Sequence, residues 1–138
     1  MFHSIVVGFD GSEASRKAFD YALELAAQYK AALHVLAVAR PPEPAADVEA
    51  EALLESAQEH FADDFSALES KAQFRKTELH CSVRFGHPAE QLLYLADELP
   101  ADLIVVGHRG LSFFERWHIG SVSKQVMIYS MCPVLIVR

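Results

Sequence analysis

GHRGLSFFERWHIGSVS, residues 107–123, is the segment that decides the fold of this 138-residue chain. It follows the apolar run LIVV at residues 103–106 and precedes an amphipathic segment. Glycines at its first, fourth and fourteenth positions let the backbone approach a bound group without a Cβ in the way. A Gly120-Ser121 pair at the start of a helix leaves backbone N–H groups and a hydroxyl for an anion. A strand, a glycine loop and a helix start in this order predict an anion-binding loop in an α/β fold.

The rest of the chain alternates between apolar strand patterns and amphipathic helix patterns. Strands are predicted over residues 3–9, 32–39, 77–85, 101–107 and 133–137. Helices are predicted from the Ser12 cap to Tyr29, over 46–73, from the turn Gly86-His87-Pro88 to Pro100, and from Gly120 to Met131. This alternation of helices with nearly continuous Val, Ile and Leu strands predicts a doubly wound, open parallel sheet with helices on both faces, in a single domain.

Two polar turns follow strands of this predicted sheet, namely Asp10-Gly11-Ser12 after the first and the glycine loop after the fourth. Ligands of doubly wound sheets bind beyond the carboxyl ends of the strands, where the strand order reverses. If the first and fourth strands are neighbours, both turns line one crevice. There Asp10 suits a ribose hydroxyl or a divalent cation better than a phosphate, because like charges repel.

Composition excludes several classes of protein. The formal net charge of −7, from 19 acidic and 12 basic residues, disfavours non-specific nucleic-acid binding. No apolar run approaches the roughly 20 residues of a membrane span, and the amino-terminal segment does not have the pattern of a signal peptide. Cys81 and Cys132 form no CxxC motif, so we expect buried thiols in a cytoplasmic protein. The seven histidines lack metal-ligand spacing, and no protein-held metal is predicted.

The glycine loop contains neither GxxxxGK[ST] nor GxGxxG, so it is neither a P-loop nor a dinucleotide fingerprint. The residues alone leave two interpretations open: an anion site, or glycines that shape a turn before Ser121 as an ordinary N-cap. The loop also contains three aromatic residues, Phe113, Phe114 and Trp117. Three roles are open for them: folding over a ligand, packing on a partner subunit, or sealing the loop onto the domain.

Four features, in this order, resemble the universal stress protein family. They are the first strand with Asp10-Gly11-Ser12, the Gly86-x-Pro88 turn, the G-x2-G-x9-G-S loop, and the ending CPVLIV at residues 132–137. The resemblance covers essentially residues 1–138 and implies a five-stranded parallel sheet in the order 3-2-1-4-5. Because the glycine loop is complete, it also implies the ATP-binding branch, with ATP, ADP or AMP as ligand and Mg²⁺ bridging the phosphates. His108, where relatives usually carry a small residue, and Trp117-His118, in place of an aliphatic pair, depart from the family pattern.

The resemblance also implies which residues contact the nucleotide. Asp10 would lie near the adenosine, and Val38, at the end of the second strand, would meet adenine through its backbone. The implied nucleotide-binding residues are Asp10, Val38, Gly107, Arg109, Gly110, Gly120, Ser121, Val122 and Ser123. Gly11, Ser12 and His108 are additional candidates.

These observations favour an ATP-binding signalling module of the stress response. A homodimer is predicted through residues 134–137, an apolar strand at the sheet edge, and an unidentified protein partner is left open. The first alternative is a slow ATPase or a self-phosphorylating enzyme. The sequence disfavours it, because Asp10 and His108 are the only candidates for a base near the phosphates, and we assign no catalytic residue. The second alternative is a dimeric stress scaffold that holds no nucleotide.

Overall fold

The computed structural model describes residues 1–41, 49–108 and 120–138. In chain order the elements are β1 (Ser4–Gly8), α1 (Glu13–Tyr29), β2 (Ala32–Ala39), α2 (Ala50–Phe74), β3 (Leu79–Phe85), α3 (Pro88–Glu98), β4 (Leu103–Gly107), α4 (Ser121–Tyr129) and β5 (Val134–Val137). The five strands form one parallel sheet in the order β3-β2-β1-β4-β5. The predicted fold class and strand order are therefore confirmed.

Side chains of alternate strand residues pack into two apolar clusters, one on each face of the sheet. Ile5, Val7 and Val105 pack with α1 and α2, together with Phe19. On the opposite face, the residues that pack with α3 and α4 include Val6, Leu36, Ile104 and Val106. Because both faces of the central strands are covered by helices, these strands are apolar at nearly every position.

The strand starts differ from the predicted ones where a residue closes the preceding helix. The Thr77 N–H donates to the carbonyl of Ala72, and the Ala101 N–H donates to the carbonyl of Ala96. These residues therefore end α2 and α3 instead of extending β3 and β4, which begin two residues later. The start predicted for the second helix, at residue 46, lies outside the described residues.

The starts of α1, α3 and α4 agree with the prediction, and only the alternative interpretation of Ser121 as an N-cap is wrong. Ser12 is the N-cap of α1, and Pro88 occupies the first turn of α3, both as predicted. At α4 the N-cap is Gly120, and Ser121 is the first helical residue. Over the described ranges, no helix has the length and apolar character needed to cross a membrane.

Candidate functional site

The carboxyl ends of β2, β1 and β4 lie side by side along one edge of the sheet. β1 pairs with β2 on one side and with β4 on the other, and Val7 pairs with Val105. The strand order reverses at β1 and β4, so the turn after β1 and the end of β4 border the crevice in which such sheets bind ligands. The structure therefore brings Asp10 and Gly107 to adjacent strand ends, as the crevice interpretation requires.

The Asp10 turn uses its own side chains to satisfy the start of α1. The Ser12 N–H donates to Asp10 Oδ1 over 2.9 Å, and the Ser15 N–H donates to Ser12 Oγ over 3.1 Å. Gly11 has a φ of 82°, which an L side chain rarely adopts. The second carboxylate oxygen of Asp10, Oδ2, has no hydrogen-bond partner among the described residues. The turn thus offers an acceptor for a hydroxyl or a cation, while the N–H groups of Ser12 and Ser15 at the start of α1 are already occupied.

Val38 presents backbone groups to the space beyond the end of β1. On β2, the Leu36 carbonyl accepts from the Phe9 N–H on the β1 side, and the Ala39 carbonyl accepts from the Gly86 N–H on the β3 side. Because these directions alternate along a strand, the N–H and C=O of Val38 face the β1 side. The β1 ladder ends at the Gly8–Leu36 pair, so neither group of Val38 has a backbone partner in the described part of the chain. An adjacent donor and acceptor of this kind match the hydrogen-bonding edge of a purine.

The start of α4 differs from the start of α1 because no described side chain caps it. Its N-cap, Gly120, has a φ of −60° and a ψ of 153°, which any residue can adopt. Glycine therefore contributes the absence of a side chain at this position rather than conformational freedom. Ser, Thr, Asp or Asn here would occupy the amides of the first turn, whereas glycine leaves them to a bound anion.

The three residues that follow Gly120 have different environments. Ser121 is exposed, so its hydroxyl is accessible at the first turn of α4. Val122 is half-buried against the cluster under α3 and α4. Ser123 is buried, and its hydroxyl donates to the carbonyl of Gly107. The Ser123 hydroxyl therefore holds α4 to the end of β4, and what it can offer an anion is its backbone N–H.

Gly107 has a packing reason for being glycine that the sequence did not reveal. A Cβ at this position would lie 2.9 Å from the backbone carbonyl carbon and oxygen of Ala14 in α1. At Gly8, a Cβ would lie 3.0 Å from the side chain of Leu92. The close approach of α1 to the end of β4 therefore explains Gly107 without a ligand, whereas the Leu92 side chain near Gly8 can shift more easily than backbone.

His108 connects the end of β4 to two other elements. Its N–H donates to the carbonyl of Val137 over 2.6 Å, and its own carbonyl accepts from the Gly120 N–H over 2.8 Å. The residue is 8% exposed. His108 therefore joins the last strand of the sheet to the N-cap of α4 through its backbone.

Several predicted residues lie outside the described part of the chain. They are Arg109, Gly110, Phe113, Phe114, Trp117 and His118. Within residues 1–41, 49–108 and 120–138, no group of three or more His, Cys, Asp or Glu side chains is arranged to hold a metal ion. Cys81 and Cys132 are free thiols of intermediate exposure, and burial together with Glu69 raises the pKa of Cys81 to about 12.

Contacts between the Asp10 turn and α2 were missed by sequence reasoning. Arg16 donates through Nε to the Gly11 carbonyl over 3.3 Å and through Nη2 to Asp64 over 2.7 Å. Asp64 and Arg16 are 48 residues apart in the chain, so no local pattern indicates that they pair. In the sequence, the one indication that Arg16 lies near the Asp10 turn is its position four residues after Ser12, the N-cap of α1.

Comparisons with known proteins agree with this architecture. The model of the universal stress protein family matches residues 1–138. Among curated proteins, the chain is 36% identical over 150 aligned residues to the universal stress protein YxiE of Bacillus subtilis (strain 168), covering 100% of both chains. Among solved structures, it is similar to the universal stress protein UspA from Lactobacillus plantarum, with 26% identity, a TM-score of 0.83, and 99% and 98% of the two chains covered. A universal stress protein in complex with cAMP is 30% identical, with a TM-score of 0.79 and 99% and 97% coverage.

Proposed function

The chain belongs to the universal stress protein family, and we propose that it binds ATP and acts as a nucleotide-dependent module in a stress response. The observation that carries the proposal is the uncapped start of α4 at Gly120, at the same sheet edge as the unpaired backbone groups of Val38. A helix start that can bind an anion, together with backbone groups of Val38 that can hydrogen-bond to a purine, suits a nucleotide better than an inorganic anion.

Each part of the nucleotide has a proposed contact. The N–H and C=O of Val38 read the adenine edge, and Asp10 Oδ2 accepts from a ribose hydroxyl. The phosphates lie at the amides of Ser121, Val122 and Ser123 and at the Ser121 hydroxyl, where the positive end of the α4 dipole favours negative charge. Gly107, Arg109, Gly110 and Gly120 border the ribose and phosphates, with Gly11, Ser12 and His108 as additional neighbours.

ATP is the proposed ligand because the complete glycine loop resembles that of the ATP-binding branch of the family, and the uncapped start of α4 offers backbone N–H groups to its phosphates. ADP and AMP share the adenosine contacts and fit the same site with fewer phosphate contacts. Mg²⁺ would bridge phosphate oxygens, as is usual for this ion. Because a 30% identical relative has been crystallised with cAMP, cAMP belongs in the binding panel as well.

A substitution at Gly120 separates ligand binding from folding. In Gly120→Asp, the new carboxylate caps the amides of the first turn and repels phosphate, while the backbone dihedrals already suit it. We expect MgATP affinity to fall at least about tenfold, since hydrogen bonds to charged groups contribute about 1.5–3 kcal/mol. The melting temperature without nucleotide should stay the same or rise.

The Gly120 experiment has a neutral control and a clear contrary result. Gly120→Ser caps the helix without adding charge, so its affinity should lie between those of the wild type and Gly120→Asp. Isothermal titration with ATP, ADP, AMP and cAMP, combined with thermal unfolding, provides both readouts. If no nucleotide shifts the melting temperature of the wild type at saturating concentration, the nucleotide-free scaffold becomes the better account.

A slow ATPase or self-phosphorylating activity is tested separately. Single-turnover hydrolysis is measured for the wild type and for the doubly substituted variant Ser121→Ala, Gly120→Val, which removes the proposed phosphate contacts. We expect the wild type and the variant to hydrolyse ATP at the same background rate. A wild-type rate clearly above that of the variant would make the protein an enzyme.

We further propose that the protein is a cytoplasmic homodimer that pairs through β5. β5 is an edge strand of the sheet, hydrogen-bonded only to β4 within the described chain. The segment that precedes β5 in the chain carries large apolar side chains that are about half-exposed or more, at Met127, Ile128, Tyr129 and Met131. An exposed apolar edge favours pairing with a second copy.

A further inference from the structure

We infer that one turn of α2, residues 61–65, controls how tightly the Asp10 turn holds a nucleotide, and that Arg16 and Asp64 are its positioning residues. The inference rests on the proposed nucleotide binding. It adds a route by which nucleotide binding at the site strengthens the attachment of the surface helix α2. Neither residue is placed in contact with the ligand.

Aromatic rings join this turn of α2 to the residue that precedes Asp10. Phe9 is 4% exposed, and its ring lies 6.1 Å from the ring of Phe61 and 6.2 Å from that of Phe65, measured between centroids. The rings of Phe61 and Phe65 are themselves stacked, with centroids 5.8 Å apart. Rings at these separations attract one another beyond the area that they bury. The start of the Asp10 turn is therefore held against α2.

A single guanidinium joins the same turn of α2 to the backbone of the Asp10 turn. Arg16 donates to the Gly11 carbonyl and to Asp64, and its Cζ lies 5.9 Å from the centroid of the Phe9 ring. The fixed fork of arginine donors allows one side chain to make the first two contacts together. A lysine could retain the ion pair with Asp64 but has no second nitrogen for the Gly11 carbonyl.

Gly11 is the residue of the Asp10 turn that faces this part of α2. A Cβ there would lie 3.6 Å from Asp64 Oδ2 and 3.9 Å from the ring of Phe61. Gly11 is followed directly by Ser12, whose N–H holds Asp10 Oδ1. Arg16 bonds to both Asp64 and the Gly11 carbonyl, so a displacement of Asp64 would reach the Asp10 carboxylate by way of Arg16 and Gly11.

This turn is also where α2 first becomes buried. From Ala50 to His60 no residue of the helix is buried, and Phe61 is the first that is. In the first three turns only Leu53, Leu54 and Ala57 are half-buried, so the contacts at 61–65 are the first fully buried attachment of α2. Because coupling between two sites is reciprocal, a nucleotide that orders the Asp10 turn must also strengthen the attachment of α2.

The helix pair α1–α2 supplies a matched control for the experiment. Arg75 and Glu24 join the same two helices, with an N···O distance of 2.7 Å, equal to that of Arg16 and Asp64. Asp64→Asn is matched by Glu24→Gln, and Arg16→Lys by Arg75→Lys. Both carboxylate variants remove one negative charge from the protein, and this change alone would strengthen the binding of a polyanion such as ATP. A loss of affinity in Asp64→Asn thus opposes the simple charge effect.

MgATP affinity is measured by titration calorimetry for the wild type and the four variants. We expect affinity to fall about three- to fivefold in Asp64→Asn and Arg16→Lys, the range of a partly exposed ion pair, and to stay unchanged in Glu24→Gln and Arg75→Lys. Hydrogen exchange of the wild type should slow at residues 61–65 on addition of MgATP, and not at residues 71–75.

The outcomes distinguish this inference from the proposed function. A wild type that binds no nucleotide overturns both. If the wild type binds MgATP but Asp64→Asn and Arg16→Lys bind it equally well, the inference alone is overturned. Equal losses in the Glu24 and Arg75 variants would also overturn it, because a general loosening of the two helices would then explain the effect.

Discussion

Gly107 and Gly120 belong to one sequence pattern but have different physical reasons to be glycine. A Cβ at Gly107 would be 2.9 Å from the backbone of Ala14, whereas Gly120 has dihedrals open to any residue. We expect Gly107→Ala to lower the free energy of unfolding by about 1–3 kcal/mol, as overpacking does. Gly120→Ser should change it by only about a few tenths of a kcal/mol. Urea denaturation of both variants tests this, and equal losses would contradict the assignment.

The contrast between the two glycines also defines what the sequence could predict about the site. The spacing of the motif and the position of Asp10 after a strand predict the proposed site at one sheet edge, because both are local patterns. The clash of Gly107 with Ala14 and the Arg16–Asp64 pair depend on helices packed against the strand ends. Such contacts join residues far apart in the chain, so no local pattern encodes them.

At the scale of elements, the Asp102 carboxylate ties the start of β1 to the start of β4. Asp102 Oδ2 accepts from the His3 N–H over 2.6 Å and from the Ser4 N–H over 2.9 Å. These two backbone hydrogen bonds hold the pKa of Asp102 below its usual value. The stabilisation is therefore present above the pKa of the unfolded chain and is lost as pH falls through the lowered pKa of the folded protein.

The Asp102→Asn variant measures this contribution directly. The difference in unfolding free energy between wild type and variant should be largest near neutral pH, and should shrink as the pH drops below about 4. The pKa values of Glu24 and Glu98 are also lowered, by hydrogen bonds from Arg75 and Arg84, but their contributions cancel in the difference. A difference that is the same at pH 7 and at pH 2.5 would contradict the role assigned to Asp102.

The element order was predictable because each segment carries its own periodicity. β2 occupies the predicted residues 32–39, where apolar residues continue to the end of the strand. β1 is shorter than the predicted 3–9, because pairing with β2 and β4 is limited to Ser4–Gly8. The first and last residues of a strand depend on how far its neighbouring strands extend and on where the preceding helix ends. This information is absent from the sequence of a single segment.

At the scale of the whole molecule, the proposed ligand site and the proposed dimer edge meet at one residue. The backbone of His108 bonds to Val137 at the end of β5 and to Gly120 at the start of α4. The Ser123 hydroxyl adds a second bond between α4 and the end of β4. Substitutions that test pairing through β5 should therefore avoid Val137, so that the phosphate end of the proposed ligand site is left intact.

The final prediction concerns the open edge of β5. The carbonyls of Pro133 and Val137 accept from β4, at Ile104 and His108, so the alternating backbone groups of Ile136 face outward. Ile136→Pro therefore removes an outward donor without breaking the β4 ladder, a position at which edge strands tolerate proline. Ile136→Ala removes the same side chain but keeps the N–H. By size exclusion with light scattering at micromolar concentration, we expect a dimeric wild type, a monomeric proline variant and a dimeric alanine variant. A monomeric wild type, or a proline variant as dimeric as the alanine one, would exclude pairing through β5, since lost side-chain packing is common to both substitutions.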